Sequence, residues 1–153
     1  MKYQAYLFVH FIGEGENGEQ IYFSVSRDGL HWKDLNNGKP VIVSQVGEKG
    51  LRDPFILRNR LDGKFYIIAT DLCIHAGKGW GTAQYEGSRN LMVMSSENLT
   101  DWSSPEAVEL AIPQAGCLWA PEAVYDEKED FSSEARKDLE TMMDMVIDML
   151  NRA

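Results

Sequence analysis

The sequence predicts a mainly β protein: a partial β-propeller of about two blades of antiparallel strands over residues 1–126, then an amphipathic α-helix within residues 127–153. Three observations predict it. Short runs rich in β-branched and aromatic residues alternate with turn signals along the first part of the chain. Several of those runs recur at a nearly fixed offset, the mark of a repeat architecture. From Phe131 onward the apolar spacing becomes helical, and no Gly or Pro interrupts it.

Residues 3–11 (YQAYLFVHF) and 20–26 (QIYFSVS) read as strands, parted by the turn Gly13-Glu14-Gly15-Glu16-Asn17-Gly18. Ser26-Arg27-Asp28-Gly29-Leu30-His31-Trp32 is a turn landing on an aromatic, and Pro40 to Ser44 a short strand. Residues 50–71 (GLRDPFILRNRLDGKFYIIATD) read as a β-hairpin, because two strand-like runs flank a turn containing Asp62-Gly63. Pro54 fits a strand start, where no ladder N–H is lost. Asp53 therefore stands at the mouth of a strand, where side chains reach solvent and ligands. A glycine-rich loop from Cys73 to Arg89 follows, then strand-like runs at Leu91–Ser95, Ala107–Leu110 and Leu118–Tyr125.

The repeat joins Ser26-x-Asp28-Gly29-Leu30-x-Trp32 to Ser96-x-Asn98-Leu99-x-x-Trp102, 70 residues on, and Leu51-Arg52-Asp53-Pro54 to Leu118-Trp119-Ala120-Pro121, 67 residues on. Self-similar groups of short antiparallel strands are what propeller blades produce, and the loop at 73–89 lengthens the period. In this register Gly50 to Leu110 is a four-stranded blade, residues 3–44 lack an innermost strand, and 118–125 is an innermost strand alone. Unpaired sheet edges invite pairing with another chain, so a homo-oligomer formed by blade exchange is expected. Two chains would give four blades and three would give six.

In the tail, Ser132 or Ser133 caps the helix. Ala135, Leu139, Met142, Met143, Val146, Met149 and Leu150 recur at helical spacing opposite the acidic column Glu140, Asp144 and Asp148. Its wide methionine-rich face suits an adaptable contact, which makes the helix a second expected element of the oligomer.

The 153 residues fit one domain, with 44% hydrophobic and 25% charged residues. A net charge of −9 with no basic stripe argues against a nucleic-acid partner. No apolar run reaches the roughly 20 residues of a membrane helix. The start, MKYQAYLFVHF, lacks the cleavage region of a signal peptide, so a cytoplasmic location is expected, with Cys73 and Cys117 as reduced thiols. Nothing has metal-ligand spacing, and Gly77-Lys78-Gly79-Trp80-Gly81 lacks the strand-to-helix context of a phosphate cradle, so no cofactor is expected.

Leu51-Arg52-Asp53-Pro54-Phe55-Ile56, the Asp-Gly-Lys-Phe-Tyr hairpin, Ser-x-Asn-Leu-x-x-Trp and Trp119-Ala120-Pro121-Glu122 together resemble glycoside hydrolase family 43. The resemblance runs over roughly residues 3–126 and ends where the helical tail begins. It implies a five-bladed propeller ancestry, inverting cleavage of arabinose- or xylose-containing glycans, and a plant-type oligosaccharide or polysaccharide as partner. Carried over by position, Asp53 is the general base that activates water, and Trp119 to Glu122 line the pocket. The family's proton donor and the aspartate that tunes it match nothing in this chain. A chain with only the base is expected to be inactive alone, and a carbohydrate-binding or self-assembling module is the alternative.

Inverting hydrolysis needs two carboxyls about 6.5–9.5 Å apart, one ionised and one protonated. Ala120 stands in the second repeat where Asp53 stands in the first, so the architecture alone does not demand a carboxylate. The bland role for Asp53 is to cap the strand or pair with Arg52. Asp71 either bonds a sugar hydroxyl or caps a turn. Trp80 and Trp119 are placed to stack on a sugar face, whereas Trp32 and Trp102 are packing residues. His10, among apolar neighbours, is either a hydrogen-bonded core histidine or lies at the channel end of its strand.

Overall fold

The computed structural model describes residues 5–110 and 114–123, so the expected tail helix lies outside the described residues. The chain is mainly β, with two antiparallel sheets as a partial propeller requires. The first joins β1 (Tyr6–His10), β2 (Tyr22–Ser26) and β3 (Lys33–Asp34) in the order β1-β2-β3. The second joins β4 (Arg52–Arg58), β5 (Phe65–Thr70), β6 (Asn90–Ser96) and β7 (Glu106–Glu109) in chain order.

Strand alternation decides how the sheets pack. Leu7 and Val9 of β1, with Phe23, face Ile67, Ala69, Met92 and Met94 of the second sheet and enclose one apolar core. The opposite side of the second sheet, Tyr66, Ile68, Leu91 and Val93, packs on Leu118 and Ala123 in a second core. Leu118–Ala123 thus lies on the second sheet as β4 lies on the first. One hydrogen bond marks both joints: Leu51 N–H donates to Glu19 O (2.8 Å), and Leu118 N–H to Ser88 O (3.3 Å).

The sequence repeat is also a repeat of turns. Ser26 Oγ accepts from the amides of Asp28 and Gly29, and Asp28 Oδ1 accepts from those of Leu30 and His31. Ser96 and Asn98 do the same for Asn98, Leu99, Thr100 and Asp101. These amide bonds, with the imidazole of His31, hold the Asp28 carboxyl far below the usual carboxylate range.

Three expectations need correction. The fourth strand of the first sheet is not a run over 40–44. It is the two-residue β3, then a lone bridge between Ile21 and Ile42, because the left-handed Asn36 and Asn37 break the strand. Strand β4 begins at Arg52 rather than at Pro54, and its register shifts between Arg52 and Phe55. The 73–89 loop contains a helix, α1 (Trp80–Glu86), entered at Gly79 and closed at Gly87, where a Cβ would run into Ala83 O. Trp102 packs edge-on against Phe23, but Trp32, leaning on Phe8, stays 44% exposed.

Candidate active site

Asp53 sits in the bulge at the head of β4, with φ at +47°. A non-glycine residue there is strained, and such strain concentrates at functional positions. Its repeat counterpart Ala120 has φ at +49°, so the backbone shape recurs without the carboxylate. Thr70, fully buried on β5, joins the two: its hydroxyl donates to Asp53 Oδ2 (3.5 Å) and accepts from Ala120 N–H (2.8 Å). Asp53 Oδ1 has no hydrogen-bond partner among the described residues. Arg52 does not pair with Asp53, so the bland role falls away on that count.

Arg52 turns instead to Glu19. Its Nη1 lies 2.8 Å from Glu19 Oε1 and 3.4 Å from Glu14 Oε1. The Arg52 guanidinium carbon is 4.9 Å from the centre of the Phe11 ring and 4.8 Å from Trp80. Trp80, at the first turn of α1, meets Trp119 edge to face at 5.8 Å. Four side chains from separate parts of the sequence therefore form one aromatic and charged wall: Phe11 after β1, Arg52 on β4, Trp80 on α1 and Trp119 before Ala120.

Glu19 is 2% exposed. Burial alone would raise its carboxyl, but the amides of His75 and Ile74, the Arg52 guanidinium and the Cys73 thiol outweigh it and hold it below its ordinary value. Cys73 and Cys117 are free thiols, each pushed up by burial.

The remaining candidates are elsewhere. Asp71 is 2% exposed, and its carboxylate accepts from Glu48 N–H (2.7 Å) and Ser88 Oγ (2.6 Å), with Gly47 pressed against it. It holds two loops together. His10 stacks on Phe8 at 4.7 Å, and its Nε2 is 2.9 Å from Ser24 Oγ, whose proton goes to Asp34. That order does not make a serine nucleophile, since the base must take the serine's own proton. Glu122 is exposed, two positions beyond Ala120. A cavity of about 230 Å³ opens between the 15–20 turn, Val43–Gln45 and Cys73–Ala76, and Asp53 is not among its walls. Among the described residues no group of three His, Cys, Asp or Glu is placed to hold a metal. No helix among them is long and apolar enough to cross a membrane.

Sequence reasoning missed Glu19, Arg52, Thr70 and Phe11. Glu19 hid within a Gly- and Glu-rich turn that reads as solvated, and its partners lie 33 to 56 residues away. The repeat offered no signal for it, since an offset of 70 sets Glu19 against Arg89; only the backbone bonds from Leu51 and Leu118 pair Glu19 with Ser88 at the joints between sheets.

The chain is thus a β protein of repeated antiparallel sheets with a strained carboxylate at the head of β4. It belongs to the glycosyl hydrolase 43-related family, whose profile, described as a probable glycosyl hydrolase domain, matches residues 1–134. An α-L-arabinofuranosidase of Bifidobacterium longum subsp. longum is 33% identical over 130 residues, which are 80% of this chain. The chain spans about 12% of that relative's length. No solved structure matches.

Proposed function

We propose that this chain supplies the general-base side of an arabinofuranosidase-type site. Asp53 polarises the attacking water through Oδ1, Thr70 steadies Oδ2, and Trp80 with Trp119 offers the sugar ring an aromatic wall. The apolar C–H face of a pentose packs on such rings while its hydroxyls stay solvated. The observation that carries the reading is the pair of left-handed residues, Asp53 and Ala120. The backbone tolerates alanine there, so a carboxylate with an open oxygen is a matter of chemistry rather than architecture. The family membership and the arabinofuranosidase relative support a glycan containing arabinofuranose, with xylose-containing glycans the neighbouring class.

Glu122 stands at the mouth. Asp71 and His10 serve the framework, because their polar atoms are already engaged. No residue of this sequence matches the family's proton donor, so the chain alone is expected to bind without turning over. Titration with arabinotriose, followed by tryptophan fluorescence, should show saturable quenching, while aryl α-L-arabinofuranoside and β-xyloside are hydrolysed at or near background. Asp53→Ala should fold as the wild type does, since Ala120 already adopts that conformation. Robust hydrolysis that survives Asp53→Ala would remove Asp53 as the base.

A second reading, self-assembly, is favoured by the open edge of β1, which pairs only with β2 among the described residues. A neighbouring copy would cover that edge and the aromatic side of the first sheet.

A further inference from the structure

Arg52 uses its guanidinium in an uneven way. It is 8% exposed, and among the described residues only its Nη1 finds hydrogen-bond partners, while the buried Nε finds none. A counter-ion for Glu19 would do better with two parallel bonds, since the fork geometry of arginine matches a carboxylate. Instead its guanidinium carbon lies over two aromatic rings, 4.9 Å from the centre of Phe11 and 4.8 Å from that of Trp80. The position is chosen for the two rings.

Trp80 needs such a partner. Helix α1 buries only Ala83, so its own packing does little to fix how the indole points. Its anchors come from outside. Glu19 accepts from the amides of Ile74 (2.7 Å) and His75 (2.8 Å) and from Cys73 Sγ (3.4 Å), fixing the segment that leads into α1. Lys78 bridges to Glu48 at 3.0 Å. Arg52, tethered to the same Glu19, then meets the indole itself.

We infer that Arg52 is a positioning residue: held by buried Glu19, it sets the angle of Trp80 and through it the Trp80–Trp119 wall that a sugar ring meets. As a feature of a sugar site the inference rests on the function proposed above; as a statement about Trp80 it stands on the geometry alone. Cation–π contacts of desolvated guanidinium are strong enough to fix an otherwise lightly held ring.

The chain has four tryptophans, so ¹⁵N-labelled protein gives four indole N–H signals to follow by NMR. Trp102, whose Nε1 donates to Leu99 O at 3.1 Å, reports on the fold away from the site. Arg52→Met can unfold the chain by leaving Glu19 unpaired, so the variant used is the double change Glu19→Gln/Arg52→Met, which leaves no unpaired buried charge, read against Glu19→Gln alone, which shows what the Glu19 anchor contributes by itself. With the Trp102 signal in place, the Trp80 and Trp119 signals should move together and broaden. Arg52→Lys should displace Trp80 as well, because a compact ammonium cannot fill a planar slot. Signals of Trp80 and Trp119 at their wild-type positions in the double variant would overturn the inference. So would wild-type positions in Arg52→Lys, which would reduce Arg52 to a counter-ion. The arabinotriose Kd should rise about tenfold in the double variant; failure of the wild type to bind would sink the sugar site and leave the indole result to judge Arg52.

Discussion

Glu19 and Arg52 form a buried ion pair whose worth is best judged by breaking it. Removing one member of such a pair costs about 3–5 kcal/mol, because the other charge is left without solvent or partner. Glu19→Gln should therefore destabilise the chain by about that amount at pH 7, read by urea unfolding. The pH dependence has a definite sign. The Glu19 carboxyl is held below its ordinary value in the folded state, so its contribution is complete above the unfolded value of about 4.3 and is lost as pH falls through the lower folded value. The gap between wild type and Glu19→Gln should hold from pH 7 to pH 5 and narrow below pH 4. A gap that stays constant down to pH 3 would show that the pair is not what Glu19 contributes. At this scale the sequence was legible where repetition exposed a difference: Asp53 against Ala120. It was illegible where a role depends on partners far along the chain, as with Glu19, or where an acidic residue at a strand end, Asp71, is recruited by the neighbouring loops.

The two Ser-x-Asx turns show what a repeat fixes and what it leaves free. Gly29 has φ at +78° and its counterpart Leu99 has φ at +68°. An L-residue in the left-handed region costs roughly 1–2 kcal/mol, while glycine there costs only its larger unfolded-state entropy. Leu99→Gly should thus raise stability by about 0.5–1 kcal/mol, about 1–4 °C in Tm for a chain of this size. A lower Tm would mean that the half-buried Leu99 side chain contributes more than its backbone costs. The same balance explains the elements the sequence hid. Helix α1 has one buried residue and is bounded by glycines, so periodicity had nothing to register. In β3 the side chains of Lys33 and Asp34 are exposed, so no apolar alternation announced it. The strands with a buried face, β2, β5 and β6, were legible to within a residue or two.

In the whole molecule the repeat makes an open face predictable. Tyr6 pairs with Ser26 and Phe65 with Ser96, so Phe8 and His10 take in the first sheet the places of Ile67 and Ala69 in the second. Ile67 and Ala69 are fully buried against the first sheet, whereas Phe8 is 51% exposed, with Tyr6 and Trp32 exposed beside it. That face has the register of an inter-sheet contact and no sheet upon it among the described residues. The proposed cover is a second copy, whose second sheet offers the complementary side now carrying Leu118 and Ala123. The contact is head to tail and closes only as a ring, with two sheets from each copy. Light scattering at micromolar concentration should therefore give a discrete dimer or trimer. Phe8→Glu should disperse it and leave each copy folded, with the Tm lowered only by what the assembly contributed, because a half-exposed ring adds little to the fold of one copy. Deleting residues 131–153 separates any contribution of the tail: an oligomer that survives the deletion and yields to Phe8→Glu is held by the sheet face. A stable monomer of the unaltered chain at that concentration rules the assembly out.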